Sequence, residues 1–313
     1  MQASGRRACR DQELAGDSVE QCETKSALKS LQMPVSRTCA AAAGSCDTLK
    51  FQLRPGPTVL VIRSDQMLLF RNAASEQFKI EMLRHLARFA PELHALRGDE
   101  VFRKVVDDGL ARAANCGFDH RGPLRFFLEC MLAYGASFDS DVQIPGLHQS
   151  LVQAHGNGQQ WRADQAFAAV ERYQLRTRGR DNRHAIAALQ RLCPFLESLD
   201  SLDGQKLEAD ILGLMATVHP EKAEFVGRER LLLLMKQAQD EAARWGCASA
   251  AGIGLLCGLM FALGHGVTRD PLYPWVRKTL AHPAQQDAAR RIERLRRKTR
   301  MYLKATLQAL PSA

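Results

Sequence analysis

Apolar side chains recur at every third or fourth position through most of the chain, which places them on one face of an α-helix. Phe78, Met82 and Leu86 form one such face, and Pro91 marks its end because proline lacks the N–H that a helix interior needs. Only a short run at 59–62 has a strand-like composition. The pattern therefore predicts an all-α protein.

The residues after that short run predict the first helix. Ser64 is expected to be its N-cap, since a serine hydroxyl can accept a hydrogen bond from a free backbone N–H of the first turn. The helix would carry Met67, Leu68 and Phe70.

Two segments of the sequence resemble each other when they are aligned at an offset of 129 residues. Segment 78–145 aligns without a gap on 207–274, and 14 of the 68 positions are identical, where chance would give about four or five. The identities include residues expected at helix ends and in the turns between helices, namely Gly98, Gly117, Gly135, Asp141 and Pro145, which match Gly227, Gly246, Gly264, Asp270 and Pro274. The alignment predicts two diverged copies of one three- to four-helix unit.

Each copy is predicted to contain the same series of elements. A second helix would end at Gly117 or Gly246, because glycine adopts positive φ at a helix end without a Cβ penalty. Third helices are expected at 124–134 and 253–263, followed by loops in which Asp141 and Asp270 cap or form Asx turns. Pro145 and Pro274 would then begin a short fourth helix.

Between and around the two units, composition sets the remaining boundaries. We expect a disordered leader at 1–57, units at 58–151 and 205–283, a helical connector at 152–204 and a basic amphipathic helix at 284–313. Pro194 is expected to break the second helix of the connector.

Charge and cysteine usage bear on partners and compartment. The net charge is +9, yet residues 59–283 carry 27 basic and 26 acidic side chains, whereas 284–313 carry 8 and 2. The positive excess therefore lies largely in the C-terminal tail.

Nine cysteines without paired spacing indicate neither a disulfide framework nor a zinc site and suggest a reducing, cytoplasmic compartment.

One segment, 245–268, has no formal charge and could be taken for a transmembrane helix. Its counterpart at 116–139 contains Asp119, Arg121, Arg125 and Glu129, which a lipid-facing helix would not carry. We therefore predict a buried core helix and no membrane insertion.

No catalytic or metal-binding motif is recognisable. The chain lacks a phosphate-binding glycine loop, G-x-S-x-G, H-E-x-x-H and C-x-x-C. Asp139 and Asp141 resemble a carboxylate pair, but Thr268 replaces the first in the second copy, which favours capping over chemistry. We expect a protein that is not an enzyme and needs no cofactor or metal.

Two groups of side chains are candidates for binding a partner. The first is specific to the second unit and comprises His265, Arg269, Tyr273 and Trp275, of types enriched in binding hot spots, although buried packing of Trp275 is an equal alternative. The second lies on the C-terminal helix and comprises Arg290, Arg291, Arg294, Arg297, Arg300 and Lys304. This basic face could contact an acidic protein, nucleic acid or anionic lipid, or be a solvated surface.

The strings LVIRSDQM, FAPE and GLMFALGHGVTRDPLYPW resemble a group of bacterial all-helical proteins. These open with a similar LVIR-x-x-Q-M segment and are often encoded near type VI secretion spike and PAAR components. The resemblance spans about 59–310 and implies an accessory role as an adaptor or chaperone for a secretion effector or spike protein, without catalytic residues. A cytoplasmic immunity protein and a nucleic-acid-associated regulator that uses the basic helix are the alternatives.

Overall fold

The computed structural model describes residues 63–152, 158–282 and 287–308. Within these ranges the fold is all-α, with twelve α-helices, three short 3₁₀ turns and no strand. The all-α prediction is therefore confirmed. The predicted leader at 1–57 and the strand-like run at 59–62 lie outside the described residues.

The helices follow one another through short turns. In chain order they are α1 (Ser64–Phe89), α2 (Pro91–Asn115), α3 (Arg121–Tyr134), α4 (Leu147–Val152), α5 (Gln159–Arg178), α6 (Arg183–Ser198), α7 (Leu207–Val218), α8 (Pro220–Val226), α9 (Arg228–Arg244), α10 (Ala250–Leu263), α11 (Pro274–Leu280) and α12 (Ala288–Gln308). The 3₁₀ turns are Phe138–Ser140, Arg180–Asn182 and Leu199–Ser201.

The first helix begins one residue away from the predicted cap. Ser64 is the first helical residue and Arg63 is the N-cap, whose backbone N–H donates to Gln66 Oε1 at 3.0 Å. The predicted apolar face buries Phe78, Met82 and Leu86 in the core. The helix ends before Pro91, as expected.

Glycines end or bend the helices where the sequence predicts a left-handed turn. Gly117 and Gly246 have φ of +68° and +62°. Each turn is held by an arginine from a later helix, because Arg162 donates to the carbonyls of Cys116 and Gly117, and Arg291 donates to the carbonyl of Trp245. Helices α5 and α12 are thereby fixed to the ends of α2 and α9.

Packing joins all the helices around one buried apolar cluster. Helix α2 packs against α1 and α3, while α9 packs against α7 and α10. Helix α5 contacts α3, α4, α6 and α8, and α12 lies on α6, α10 and α11. Helices α5 and α6 therefore connect the two ends of the molecule and form part of its core.

Two predictions about proline are wrong. Helix α6 continues through Pro194 to Ser198, because Pro194 is exposed and Phe195 and Leu196 after it are buried in the core. Pro145 does not begin a helix, because Gly146 has φ of +80° and α4 starts only at Leu147. Pro274 does begin α11.

The uncharged segment 245–268 forms a turn, helix α10 and the loop that follows. Helix α10 has 14 residues, and 11 of them are buried. No helix in the described ranges combines the length and the apolarity that crossing a membrane requires.

Candidate functional site

Two loops meet at the centre of the molecule, the one after α3 and the one after α10. Asp141 Oδ2 accepts a hydrogen bond from the His265 backbone N–H at 3.0 Å, and Asp270 Oδ2 accepts one from the Ala136 N–H at 2.7 Å. Each carboxylate also forms the predicted Asx turn, with the N–H of Gln143 at 2.9 Å or of Leu272 at 2.8 Å. The loops hold each other by reciprocal, buried hydrogen bonds.

The two carboxylates differ in their acidity despite this similar geometry. Burial would raise the pKa of Asp141, but the ring of His265, whose Nδ1 lies 3.5 Å from Asp141 Oδ2, brings it below its ordinary value. Ala136 is the counterpart of His265 at the offset of 129 and offers no such ring. Burial therefore raises the pKa of Asp270 to about 6, although the N–H groups of Leu272 and Ala136 oppose the rise.

The predicted partner-binding residues of the second unit occupy different environments. The Arg269 side chain is 64% exposed and pairs with Glu241 at 2.7 Å. His265 is half-buried against Asp141. Tyr273 and Trp275 are buried, and both pack on the ring of Tyr302 in α12. Of the four residues, Arg269 alone is exposed.

The basic residues of α12 surround its buried face. Leu295, Thr299, Tyr302 and Thr306 point into the core. The candidate contacts divide into Arg290, Arg297 and Lys304, which are exposed, and Arg291, Arg294 and Arg300, which are half-buried. Arg291 is used internally to hold Trp245, so the remaining five are the ones available to a partner.

A cavity of about 90 Å³ lies beside the two central loops. Its wall is apolar at Leu189, Leu192 and Leu263, and three tyrosines also line it. Further polar side chains reach it, namely Asp141, Gln143, Thr177, Arg178, His219 and Lys222. The cavity combines a mostly apolar wall with a few converging polar groups, which is typical of small-molecule sites.

Lys222 is the least expected of these groups. Its ammonium donates to the carbonyl of Phe261 and lies 4.7 Å from the centre of the Phe261 ring and 5.7 Å from that of Tyr173. Burial lowers the pKa of Lys222 to about 8, the charge of Asp141 opposes this, and the charge of Arg178 adds to it. Lys222 is therefore charged at neutral pH at an energetic cost.

His219 lies next to Lys222 at the start of α8. Its Nδ1 accepts a hydrogen bond from the Lys222 backbone N–H at 3.3 Å, which caps the helix. Burial and the charge of Lys222 lower the pKa of His219 to about 4, so that the ring is neutral at pH 7. The positive charge at this side of the cavity comes from Lys222 and Arg178.

Sequence reasoning missed four of the polar residues of the cavity, because they lie far apart along the chain and form no motif. The alignment at an offset of 129 residues nevertheless contained a signal. At that offset Gln143, Arg178, His219 and Lys222 align with Leu272, Leu307, Ala90 and Leu93, so every one of them replaces an apolar residue. This signal lies in positions that differ at the offset of 129, whereas the prediction of a repeat rests on positions that are identical.

Comparisons of the chain with protein-family models, with curated proteins and with solved structures give no match. In the described part of the chain, no group of three or more His, Cys, Asp or Glu side chains is placed to hold a metal ion. Function is therefore inferred from the chain's own residues.

Proposed function

We propose that this protein is a non-enzymatic helical accessory protein that binds a secretion effector or spike component as an adaptor or chaperone. The observation that carries the proposal is the first half of α1. From Arg63 to Gln77 every side chain whose burial is described is exposed, and the buried face begins at Phe78. Residues 64–77 correspond to about 21 Å of helix, at about 1.5 Å per residue.

This projecting segment of α1, residues 64–77, carries large apolar side chains. Met67, Leu69 and Phe70 are 41%, 68% and 65% exposed. Grouped apolar side chains on an exposed helix favour docking into a groove of another protein. The segment also contains the SDQM part of the string on which the resemblance to secretion-associated proteins rests, which supports a protein partner of that class in the cytoplasm.

The test is substitution of the projecting segment. Changing Met67, Leu69 and Phe70 together to Ser is expected to weaken binding to a co-encoded effector or spike protein by about thirtyfold or more, as loss of a hot spot does. Helical content and Tm should stay unchanged, because these side chains bury no core surface. Isothermal titration calorimetry and circular dichroism measure the two effects.

A matched control uses Leu175 and Leu233, which are 70% and 51% exposed on other helices. Their joint change to Ser should leave the affinity unchanged. Equal binding by the triple variant and the wild type would contradict the proposed surface. An effector that is inactivated when bound, instead of delivered, would favour the immunity alternative.

We further propose that the chain consists of two like units related by the offset of 129 residues. Similar backbone angles support this: Gly98 and Gly227 have φ of +75° and +81°, and Gly135 and Gly264 have +97° and +102°. The reciprocal bonds of Asp141 and Asp270 connect positions that match at this offset. Arg162 and Arg291, which hold the equivalent turns, also match, which extends the proposed units to α5 and α12.

Binding of an anionic partner to α12 is a second candidate. Arg290, Arg297 and Lys304 lie seven residues apart on one exposed stripe. Arg296 is neutralised by Asp200 and Glu293, but within the described residues Arg294, Arg297, Arg300 and Lys304 form no ion pair. Such unneutralised charge favours nucleic acid or an acidic protein.

If the partner is nucleic acid, changing Arg290, Arg297 and Lys304 to Gln should reduce the slope of log K against log salt by about 3, close to one for each phosphate that the helix no longer binds. Fluorescence anisotropy with duplex DNA over a range of salt concentrations measures this slope. The same charge change at Arg103, Lys104 and Arg176, which are exposed on other helices, is the control. Equal slopes for both variants would rule out α12 as the contact.

A further inference from the structure

The central cavity places a lysine amine beside a mostly apolar space. Lys222 lines the cavity and is 6% exposed. Leu189, Leu192 and Leu263 belong to the same wall. Lysine is almost never fully buried unless it is paired. In the part of the chain that the structure describes, Lys222 forms no ion pair within 4.0 Å, so its burial needs another explanation.

The contacts of the Lys222 ammonium use one of its three N–H groups. It donates to the carbonyl oxygen of Phe261, and the rings of Phe261 and Tyr173 have their centres 4.7 Å and 5.7 Å from Nζ. An ammonium carries three donors. Among the described residues, the other two have no acceptor, which leaves room at Nζ for a new bond.

The surroundings of Lys222 also favour its neutral amine, which is the nucleophilic form. Burial lowers the pKa of Lys222 to about 8, the charge of Asp141 opposes this, and the charge of Arg178 adds to it. At pH 7 about a tenth of the amine is then neutral, against well under a thousandth for an ordinary lysine. Desolvation in an apolar pocket activates lysines towards carbonyl compounds in this way.

The same cavity contains a buried hydrogen-bond acceptor without a donor. Gln143 is 1% exposed, and its Nε2 donates to Asp141 Oδ2 at 3.1 Å and to the Met260 carbonyl at 3.0 Å. These two acceptors fix the orientation of the amide. Within the described residues Gln143 Oε1 has no hydrogen-bond partner. An unsatisfied buried acceptor is costly, so a molecule in the cavity that donates to it gains stability.

The size and access of the cavity limit what can enter. It is partly open to solvent, and Tyr134, Ala185 and Gly264 on its wall are half-buried. An apolar cavity of about 150 Å³ holds benzene. The volume of about 90 Å³ therefore corresponds to a molecule of roughly four non-hydrogen atoms.

We infer that Lys222 reacts with a small aliphatic aldehyde and holds it as a covalent imine in the central cavity. The lone pair of the neutral Nζ forms a bond to the carbonyl carbon, the π electrons pass to the oxygen, and a proton moves from nitrogen to oxygen to give a carbinolamine. The hydroxyl then takes a proton and leaves as water while nitrogen forms the C=N double bond. Counted from the ammonium, the products are a protonated imine and one water, and nothing is oxidised or reduced.

The protonated imine preserves the contacts that position Lys222. It keeps one N–H and the positive charge, so the hydrogen bond to the Phe261 carbonyl and the contacts with the two rings can persist. Gln143 Oε1 accepts the hydrogen bond of the carbinolamine hydroxyl. The leucines of the wall receive the carbon chain. The partner-binding surface on α1 takes no part, so this inference stands apart from the proposed function.

Reductive trapping tests the inference on the full chain. Propanal is added at pH 7 with sodium cyanoborohydride, which reduces an imine to a stable secondary amine, and peptide mass spectrometry measures the adduct at each lysine. We expect Lys222 to carry about tenfold more propyl adduct than Lys104 or Lys236, which are exposed. A lysine with a purely structural role gives equal or less modification at Lys222, which overturns the inference.

A larger aldehyde controls for the cavity. Cyclohexanecarboxaldehyde has the same functional group on a carbon skeleton that is too large for about 90 Å³. It should modify Lys104 and Lys236 but leave Lys222 unmodified. Preferential modification of Lys222 by both aldehydes would show that the cavity does not select the ligand, and would overturn the inference.

A substitution at the cavity wall tests the same point without changing Lys222. Ala185→Leu, on α6, should remove most of the propyl adduct at Lys222 and leave that at Lys104 unchanged, because the larger side chain narrows the cavity. Ala187→Leu is the matched control, since Ala187 is half-buried on the same helix and does not line the cavity. Unchanged trapping in a folded Ala185→Leu protein overturns the inference. If Ala185→Leu does not fold, the comparison of the two aldehydes on the wild type still decides.

Discussion

Changing Gly264 to Ala is expected to lower the free energy of unfolding by about 4 kcal/mol, the largest single effect that we predict for this chain. Gly264 has φ of +102° and ψ of 147°, a region of backbone space that only glycine occupies readily. A Cβ there would lie 2.9 Å from the Tyr134 carbonyl oxygen. The carbonyl oxygen belongs to the backbone and cannot rotate away from the added Cβ, so the two central loops would have to separate.

Urea unfolding followed by circular dichroism measures this loss. Gly213→Ala is the matched control, because Gly213 lies in helix α7 with ordinary φ and nothing within 4 Å of the added Cβ. That change should stabilise the protein by up to about 1 kcal/mol, since alanine has the higher helix propensity. A Gly264→Ala protein within about 1 kcal/mol of the wild type would contradict the described contact between the loops.

The second large effect is a pH dependence of opposite sign at the two central aspartates. The raised pKa of Asp270, about 6 against an ordinary 3.8, means that the folded state binds a proton that the unfolded state releases. Its contribution to stability is present at about pH 4 and is lost as the pH rises through 6. The stability lost in Asp270→Asn should therefore be about 2–3 kcal/mol smaller at neutral pH than at about pH 4.

Asp141 is expected to show the reverse. Its folded-state pKa lies below the ordinary value, so its contribution is present at neutral pH and is lost as the pH falls through the folded-state pKa. The stability lost in Asp141→Asn should therefore be larger at neutral pH than in acid. Each amide keeps one acceptor oxygen and replaces the other by a donor, and the two sites have the same kinds of backbone partners, so each variant controls for the other. Parallel pH profiles of the two variants would contradict the assignment.

The sequence predicted the helices well because their signals are local. Apolar spacing identified the buried face of α1, and glycine marked the turns at Gly117 and Gly246. The prediction at Pro194 was wrong because the burial of Phe195 and Leu196 offsets the hydrogen bond that proline removes from the helix interior. The existence of two units stays a prediction, supported by paired angles and paired hydrogen bonds.

The cavity could not be predicted because its wall comes from seven separate stretches of chain. Lys222 follows a Pro-Glu pair at the start of a helix, where a surface lysine would be unremarkable. Tyr273 and Trp275 matched the composition of a binding hot spot, yet both are buried against Tyr302, because α12 covers them. Their burial depends on α12, the last described helix, which packs over both side chains.

The exchange of hydrogen bonds between the two loops has a consequence for how the chain is made. On the ribosome, residues 63–178 emerge before 207–280, so the hydrogen bonds from the His265 N–H to Asp141 and from the Ala136 N–H to Asp270 cannot form until the second loop is made. The contact that holds the turn at Gly246 forms later still, because Arg291 lies in the last helix. The loop after α3 therefore leaves the ribosome before its hydrogen-bond partners exist, and a chain that ends before α12 lacks the contact that holds the turn at Gly246.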